Sequence, residues 1–434
     1  MAQHIPLSGS SWSIGVARRS WTENAESPQG AVILGGAHGS LAVARSLGRR
    51  GIPVWFIADN HPIASYSRYI VRSLTWPGPD REGAIDRLLD LAVRNGLRGW
   101  VLFAGGDAEV QLVSRAHAEL STVFRLPTPP WEITRSALDK RLIHEHAASV
   151  GLHSPWSLYP EEPGQLGAAA GRFPVILKPT IRVGCNAFTA AKAWRADNAA
   201  ELLCAYRRAV ALVGHKAIAL QEWIPGDGAA QFSYAAVWDR GAPCASLVAR
   251  RTRQYPIDFG FTSTFVETIE QSAVEEAACR FLSPLRYSGM VEAEFKYDAR
   301  DGPYKLLDVN PRIWTWIALG AAAGVDFPFI QWRLAMGQEV IPARAEAGRA
   351  WMHASRDMVA AIQLLAGRRL APSKYFGSWL RPLTFAAAAA DDPLPGIVDI
   401  PVALTRVLRR HLSACFGRPV AATPRIETRD SVSH

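Results

Sequence analysis

Residues 289–312 read GMVEAEFKYDARDGPYKLLDVNPR. Apolar and polar residues alternate on both sides of a central turn, which predicts two strands. In the first, Val291, Ala293 and Phe295 point one way, and Glu292, Glu294 and Lys296 point the other. In the second, residues 304–310, Asp308 and Asn310 share a face. Asp301-Gly302 predicts the turn that folds the strands into a hairpin. Glu294, Asp308 and Asn310 then converge as three oxygen ligands. That set suits Mg²⁺, one or two ions (or Mn²⁺), which keeps waters and takes phosphate oxygens at its other positions. Arg312 follows within reach of the same phosphates. Taken alone, such alternation also describes a solvated hairpin face.

Working outward toward the N-terminus, AVIL (31–34) runs into Gly35-Gly36-Ala37-His38-Gly39-Ser40, then a helical stretch, then IPVWFI (52–57). That is strand, glycine turn, helix, strand. A helical pattern over 81–96 precedes WVLFA (100–104), which ends in Gly105-Gly106-Asp107-Ala108-Glu109. Residues 31–126 are therefore expected to form a small doubly wound α/β domain with both glycine turns at the ligand-binding ends of its strands. The first turn is not a GxGxxG fingerprint, because Ala37 and Ser40 stand where glycines are needed. Asp107 and Glu109 either face a ligand or cap a helix. LPTPP (126–130) marks a linker. Beyond it lie Lys140 at a helix start, Lys178 at the end of a strand (FPVIL, 173–177), and Gln221-Glu222-Trp223-Ile224 after another apolar run. Only 7 of the 48 basic residues are lysines, so each lysine can be weighed individually.

In this order the motifs resemble the ATP-grasp family of carboxylate–amine ligases, over about residues 31–340. The resemblance implies an α/β (α+β) ATP-grasp fold of two lobes over 127–340, preceded by the small domain. It implies Lys140 and Lys178 on ATP phosphates, Glu222 and the Trp223–Ile224 backbone at the adenine edge, and Asp227 at the ribose. Glu294, Asp308 and Asn310 become the metal ligands, and Arg312 a stabiliser of the transferred phosphoryl group. In ARRTRQYP (249–256), alternation places Arg251 and Arg253 on one face, toward the triphosphate or a substrate carboxylate. The implied reaction makes an acyl phosphate from ATP and a carboxylate, then an amide with an amine; amino acids or peptides are the expected substrates. The stretch TIRVGCNAF (180–188) has one glycine where many members carry a glycine-rich lid. The alternatives are another acceptor, by carboxylation or thiol ligation, and a non-catalytic nucleotide-binding regulator.

The chain has 434 residues and a formal charge of +9. Residues 136–340 balance 21 bases against 21 acids, whereas 341–434 carry 13 bases and 7 acids. No aromatic-interleaved basic motif accompanies the excess, which argues against nucleic acid. Five scattered cysteines without a CxxC pair, together with no signal-like or membrane-length apolar segment, suggest a cytoplasmic protein. Residues 1–30 are expected as a flexible leader, and 341–434 as a basic, mostly helical extension. Its Arg406, Arg409 and Arg410 suit either docking on the chain's own domain or peripheral contact with an anionic membrane. A homodimer is compatible with all of this. Most histidines read as structural; His38, inside the glycine turn, is the one that stands out.

Overall fold

The computed structural model describes residues 13–14, 29–58, 61–180, 186–191, 193–257 and 262–415, the side chains from 406 onward excepted. Three sheets organise it.

The first sheet carries Val54–Ala58, Ala31–Leu34 and Val101–Ala104 side by side and parallel, with Ile70–Thr75 beyond Val54–Ala58. Ala31–Leu34 and Val54–Ala58 are wholly buried, as expected of parallel strands covered on both faces. Ser13–Ile14, within the stretch read as a leader, pairs antiparallel with the outer strand. The order reverses between Ala31–Leu34 and Val101–Ala104, and the two glycine turns leave the sheet there together. They touch: a Cβ on Gly105 would lie 2.5 Å from Gly35 O, and one on Gly36 2.3 Å from Ser40 Oγ. With φ of +66° and +82°, Gly35 and Gly36 also need glycine's left-handed freedom.

A second sheet, Ser157–Leu158, Ile218–Glu222, Val175–Pro179 and Trp194–Ala196, packs against the helix Ala199–Val213. The third and largest runs in the order Tyr304–Asn310, Gly289–Tyr297, Gln231–Asp239, Ala242–Tyr255, Thr262–Ile269, Ala350–Met352, Leu383–Phe385. The hairpin forms, and a register shift between Glu294 and Phe295, which leaves Leu307 unpaired, brings Glu294 opposite Asp308 and Glu292 opposite Asn310. Gly302, at φ +86°, donates to Asp298 O at 2.7 Å and closes its turn.

The chain beyond residue 340 is mainly helical, and it also finishes this sheet with two short strands. Trp351 and Met352, within the extension expected to be mostly helical, extend the sheet instead, fully buried; the helix Ala354–Ala366 begins after His353. The tail then docks on the first domain. Arg45 binds Asp392 at 2.9 Å and the Ala387 carbonyl at 2.7 Å, and Asp391 receives Arg49 at 2.7 Å and the Tyr69 hydroxyl at 2.6 Å. Among the described residues no helix is long and apolar enough to cross a membrane. Arg406, Arg409 and Arg410 lie on the helix Leu394–Cys415, where side chains fall outside the described residues.

Candidate active site

Asp308 and Glu294 of the hairpin are each met by a base. Lys140 Nζ lies 2.7 Å from Asp308 Oδ2. Lys140 opens the helix Lys140–Ser149, whose first turn is held by Asp139 accepting from Arg141 N at 2.8 Å. Arg251 Nη1 lies 2.5 Å from Glu294 Oε2, and its Nε donates to Ser263 Oγ at 2.6 Å. Asn310 Nδ2 donates to Glu294 Oε1 at 3.0 Å, while its Oδ1 accepts from Arg312 at 3.2 Å. Arg312 then reaches Asp107 on the second glycine turn. Two carboxylates, an amide oxygen and three cations thus occupy one spot at the junction of the first and third sheets.

Glu292 sits beneath this cluster, buried, accepting from Ser233 Oγ at 2.9 Å. Burial and the neighbouring Glu294 charge push its carboxyl up, against the pull of Arg251 and Arg312. His144, one turn after Lys140, is pushed down to about 4 by burial and then by Lys178 and Lys140, so it is neutral at pH 7. Both lysines singled out from the sequence therefore act on one place.

A cavity of about 480 Å³ opens beside the cluster, between the second and third sheets. Lys178, Trp223, Asp227, Lys296 and Asp308 line it, with Ile176, Ile224 and Leu307 as apolar walls. Its size and mixed lining suit a nucleotide-sized ligand. A second cavity of about 280 Å³ lies on the far side of Arg312, bounded by Gly36, Gly105, Gly106, Glu109 and His61. Arg312 stands at its edge and is hydrogen-bonded to Asn310 of the hairpin cluster.

Residues 243–341 match the family model of the carbamoyl-phosphate synthase L chain ATP-binding domain. A D-aspartate ligase of Enterococcus faecium is 24% identical over 273 residues, 59% of this chain and 64% of that protein. The match thus spans less than two thirds of the relative's length. The structure of an L-amino acid ligase from Bacillus licheniformis superposes with a TM-score of 0.55 at 17% identity, over 71% of this chain and 74% of the other. The biotin carboxylase domain of the Hydrogenobacter thermophilus 2-oxoglutarate carboxylase, solved with MgADP, ADP and bicarbonate, does so at 0.58 and 17%, over 74% and 73%. The chain shares the fold of these two structures.

Within this fold, most residues chosen from the sequence meet. Lys140, Arg251, Glu294, Asp308, Asn310 and Arg312 form the cluster. Lys178, held by Gln221 Oε1 at 2.6 Å, lines the larger cavity with Glu222, Trp223, Ile224 and Asp227. Arg253 does not join them. Its guanidinium forks onto buried Asp357 with both contacts at 2.8 Å, between the rings of Phe265 and Tyr375. Strand pairing slips in register between Arg250 and Arg253 and again before Gln254, so the assumed alternation fails there. Glu222 lines the cavity, but its carboxylate is committed to Lys305 at 2.8 Å, Arg300 at 3.2 Å and Trp156 N at 3.1 Å. It fastens the segment joining the lobes. Asp227 Oδ1 accepts from Ala229 N at 2.9 Å and shapes the turn beside the cavity. The 180–188 loop falls largely outside the described residues.

Sequence reading passed over Lys296, although it shares the hairpin face with Glu292 and Glu294. Its Nζ donates to Ile224 O and Gly226 O, both at 2.8 Å, holding the segment that rims the cavity. Burial pushes the ammonium down to about 8 from 10.5, against Asp227 and Asp298. A neutral amine keeps two hydrogens, so both bonds survive deprotonation while the charge facing the cavity is lost. ADP affinity should therefore weaken roughly three- to ten-fold between about pH 7 and 9, the worth of one screened charge. Titration calorimetry on wild type and Lys296→Met checks this; an equal pH response in both would remove Lys296 as the cause. Stability runs the other way. The unfolded lysine holds its proton up to about 10.4, so it binds more protons than the folded one across that window, and this residue's contribution improves as pH rises.

Proposed function

We propose that the protein is an ATP-dependent ligase that activates a substrate carboxylate as an acyl phosphate and joins it to an amine. The observation that carries this reading is the placement of Arg312 between the nucleotide-sized cavity's acidic hairpin and a second cavity under the glycine turns. A γ-phosphoryl group held at the hairpin then faces a small ligand in the second cavity.

The donor set fits Mg²⁺: two carboxylates and an amide oxygen, all hard ligands, with Glu294 directly opposite Asp308 and Asn310 two positions further along the strand of Asp308. Glu294, Asp308 and Asn310 would hold the ion, which when bound would neutralise phosphate oxygens and orient the β- and γ-phosphates. Lys140 and Arg251 now neutralise the two carboxylates and are released toward phosphates as the site loads. Lys178 adds a further positive charge from the opposite lobe. The carboxylate oxygen of the substrate attacks the γ-phosphorus, the bond to the β-phosphate oxygen breaks, and ADP leaves. The amine nitrogen then attacks the acyl carbon, phosphate leaves with the former carboxylate oxygen, and the amine gives up a proton. Arg312, fixed by Asp107 and Asn310, meets the charge that develops on the transferred group. Positioning and charge neutralisation suffice; the steps need no protein nucleophile.

The test is ATP turnover with pairs drawn from a panel of amino acids and dipeptides. ADP formation should require both a carboxylate and an amine. Bicarbonate- or thiol-dependent ADP formation, with no response to any amine, would replace amide formation by carboxylation or thiol ligation.

A further inference from the structure

His38, His353 and Asp399 come together from three distant parts of the chain. His38 opens the helix His38–Gly48 after the first glycine turn, His353 follows the strand Ala350–Met352, and Asp399 lies on the helix Leu394–Cys415. All three are buried, and one ligand atom from each lies within 4.8 Å of the others. The two imidazole rings stand 4.3 Å apart, and His38 Nε2 is 2.7 Å from Asp399 Oδ1.

The hydrogen bonds around them dictate a tautomer. Ser355 Oγ donates its one proton to Asp399 Oδ2 at 3.0 Å, so its contact with His353 Nδ1, at 3.3 Å, is one in which the ring donates. That leaves a bare lone pair on His353 Nε2, which is buried with no hydrogen-bond partner. An orphaned buried acceptor is costly unless something fills it.

We propose that His38, His353 and Asp399 bind a divalent transition-metal ion, zinc by preference, which pins the C-terminal segment to the first domain. Two imidazole nitrogens and a carboxylate are a zinc ligand set. In a tetrahedral site, ligand atoms about 2.1 Å from the ion lie about 3.4 Å apart, so from the present spacing of up to 4.8 Å a shift of at most roughly 1.4 Å in the widest pair completes the site. Ser355 supplies the outer hydrogen bonds that such ligands need. The position is consequential, because His61, whose ring lies 5.4 Å from that of His38, lines the second cavity. This site is separate from the acidic hairpin and does not depend on the ligase reading.

Full-length protein stripped with a chelator is titrated with Zn²⁺, and separately with Co²⁺. The expected result is one tight equivalent of Zn²⁺, a raised thermal midpoint, and visible absorption from four-coordinate Co²⁺ that excess Zn²⁺ abolishes. Asp308→Asn should keep this binding, and His353→Ala should weaken it at least ten-fold. Absence of four-coordinate Co²⁺ absorption in the wild type would overturn the proposal, whatever the folding of the variants. Zn²⁺ binding lost in Asp308→Asn but kept in His353→Ala would overturn it equally.

Discussion

Asn310→Ala should lower ATP turnover by about 10²–10³-fold, the usual cost of one positioned electrostatic group in a phosphoryl- or acyl-transfer site. Asn310 ends the strand Tyr304–Asn310 and holds two partners at once, Glu294 through its amide nitrogen and Arg312 through its amide oxygen. Truncation removes one proposed metal ligand and releases both neighbours. The backbone register to Glu292 does not need the side chain, so the hairpin should persist. The loss should fall on kcat and on the Mg²⁺ dependence, while metal-free ADP binding through Lys178 and the Glu222–Ile224 segment stays within about two-fold. Steady-state ADP release across a Mg²⁺ titration checks this. Turnover and Mg²⁺ dependence equal to wild type would remove Asn310 from the site.

Asp357→Ala should destabilise the protein by about 3–5 kcal/mol, the cost of leaving a buried charge without its partner. Asp357 is fully buried and accepts from Arg253 twice and from Thr264 Oγ1 at 2.7 Å. Without it the Arg253 guanidinium, 5% exposed, remains enclosed by Phe265, Tyr375 and Ser378. The pair itself is worth far less than its rupture, because two desolvated charges roughly break even against apolar residues of like volume. The double change Arg253→Met with Asp357→Leu should therefore recover most of the loss. Denaturant unfolding of the variants measures this. A double variant as unstable as Asp357→Ala would show that the pair does more than satisfy itself. Because Arg253 lies on the strand next to Arg251, the single change should also loosen the wall behind Glu294.

The site's acidic half was legible because a hairpin is local. Period-two alternation and the Asp301-Gly302 turn bring the two strands together, and a register shift beside Leu307 then sets Glu294 opposite Asp308. Lys140 and Lys178 were legible through scarcity, since an arginine-biased chain keeps few lysines. Arg253 was not, because a register slip changes the facing of every residue beyond it and has no signature in RRTRQY. The tail strands were not, because three residues pair with a strand some 80 positions earlier and Trp351 and Met352 fit a helix pattern equally well. The tail's seven acids deserved more weight: Asp357, Asp391, Asp392 and Asp399 each meet a base or histidine far away in sequence. A net charge of +9 conceals such pairings, which exist only once the chain has folded.

Hydroxylamine offers the most direct measurement of the central claim. It replaces the amine substrate and captures any acyl phosphate as a hydroxamate, releasing phosphate. With ATP, Mg²⁺, hydroxylamine and a panel of amino-acid and dipeptide carboxylates, mass spectrometry should find a hydroxamate of at least one carboxylate in equal amount to the ADP formed, and both products should form about 10²–10³-fold more slowly with Asn310→Ala. ADP without hydroxamate from any carboxylate in the panel would contradict activation through an acyl phosphate.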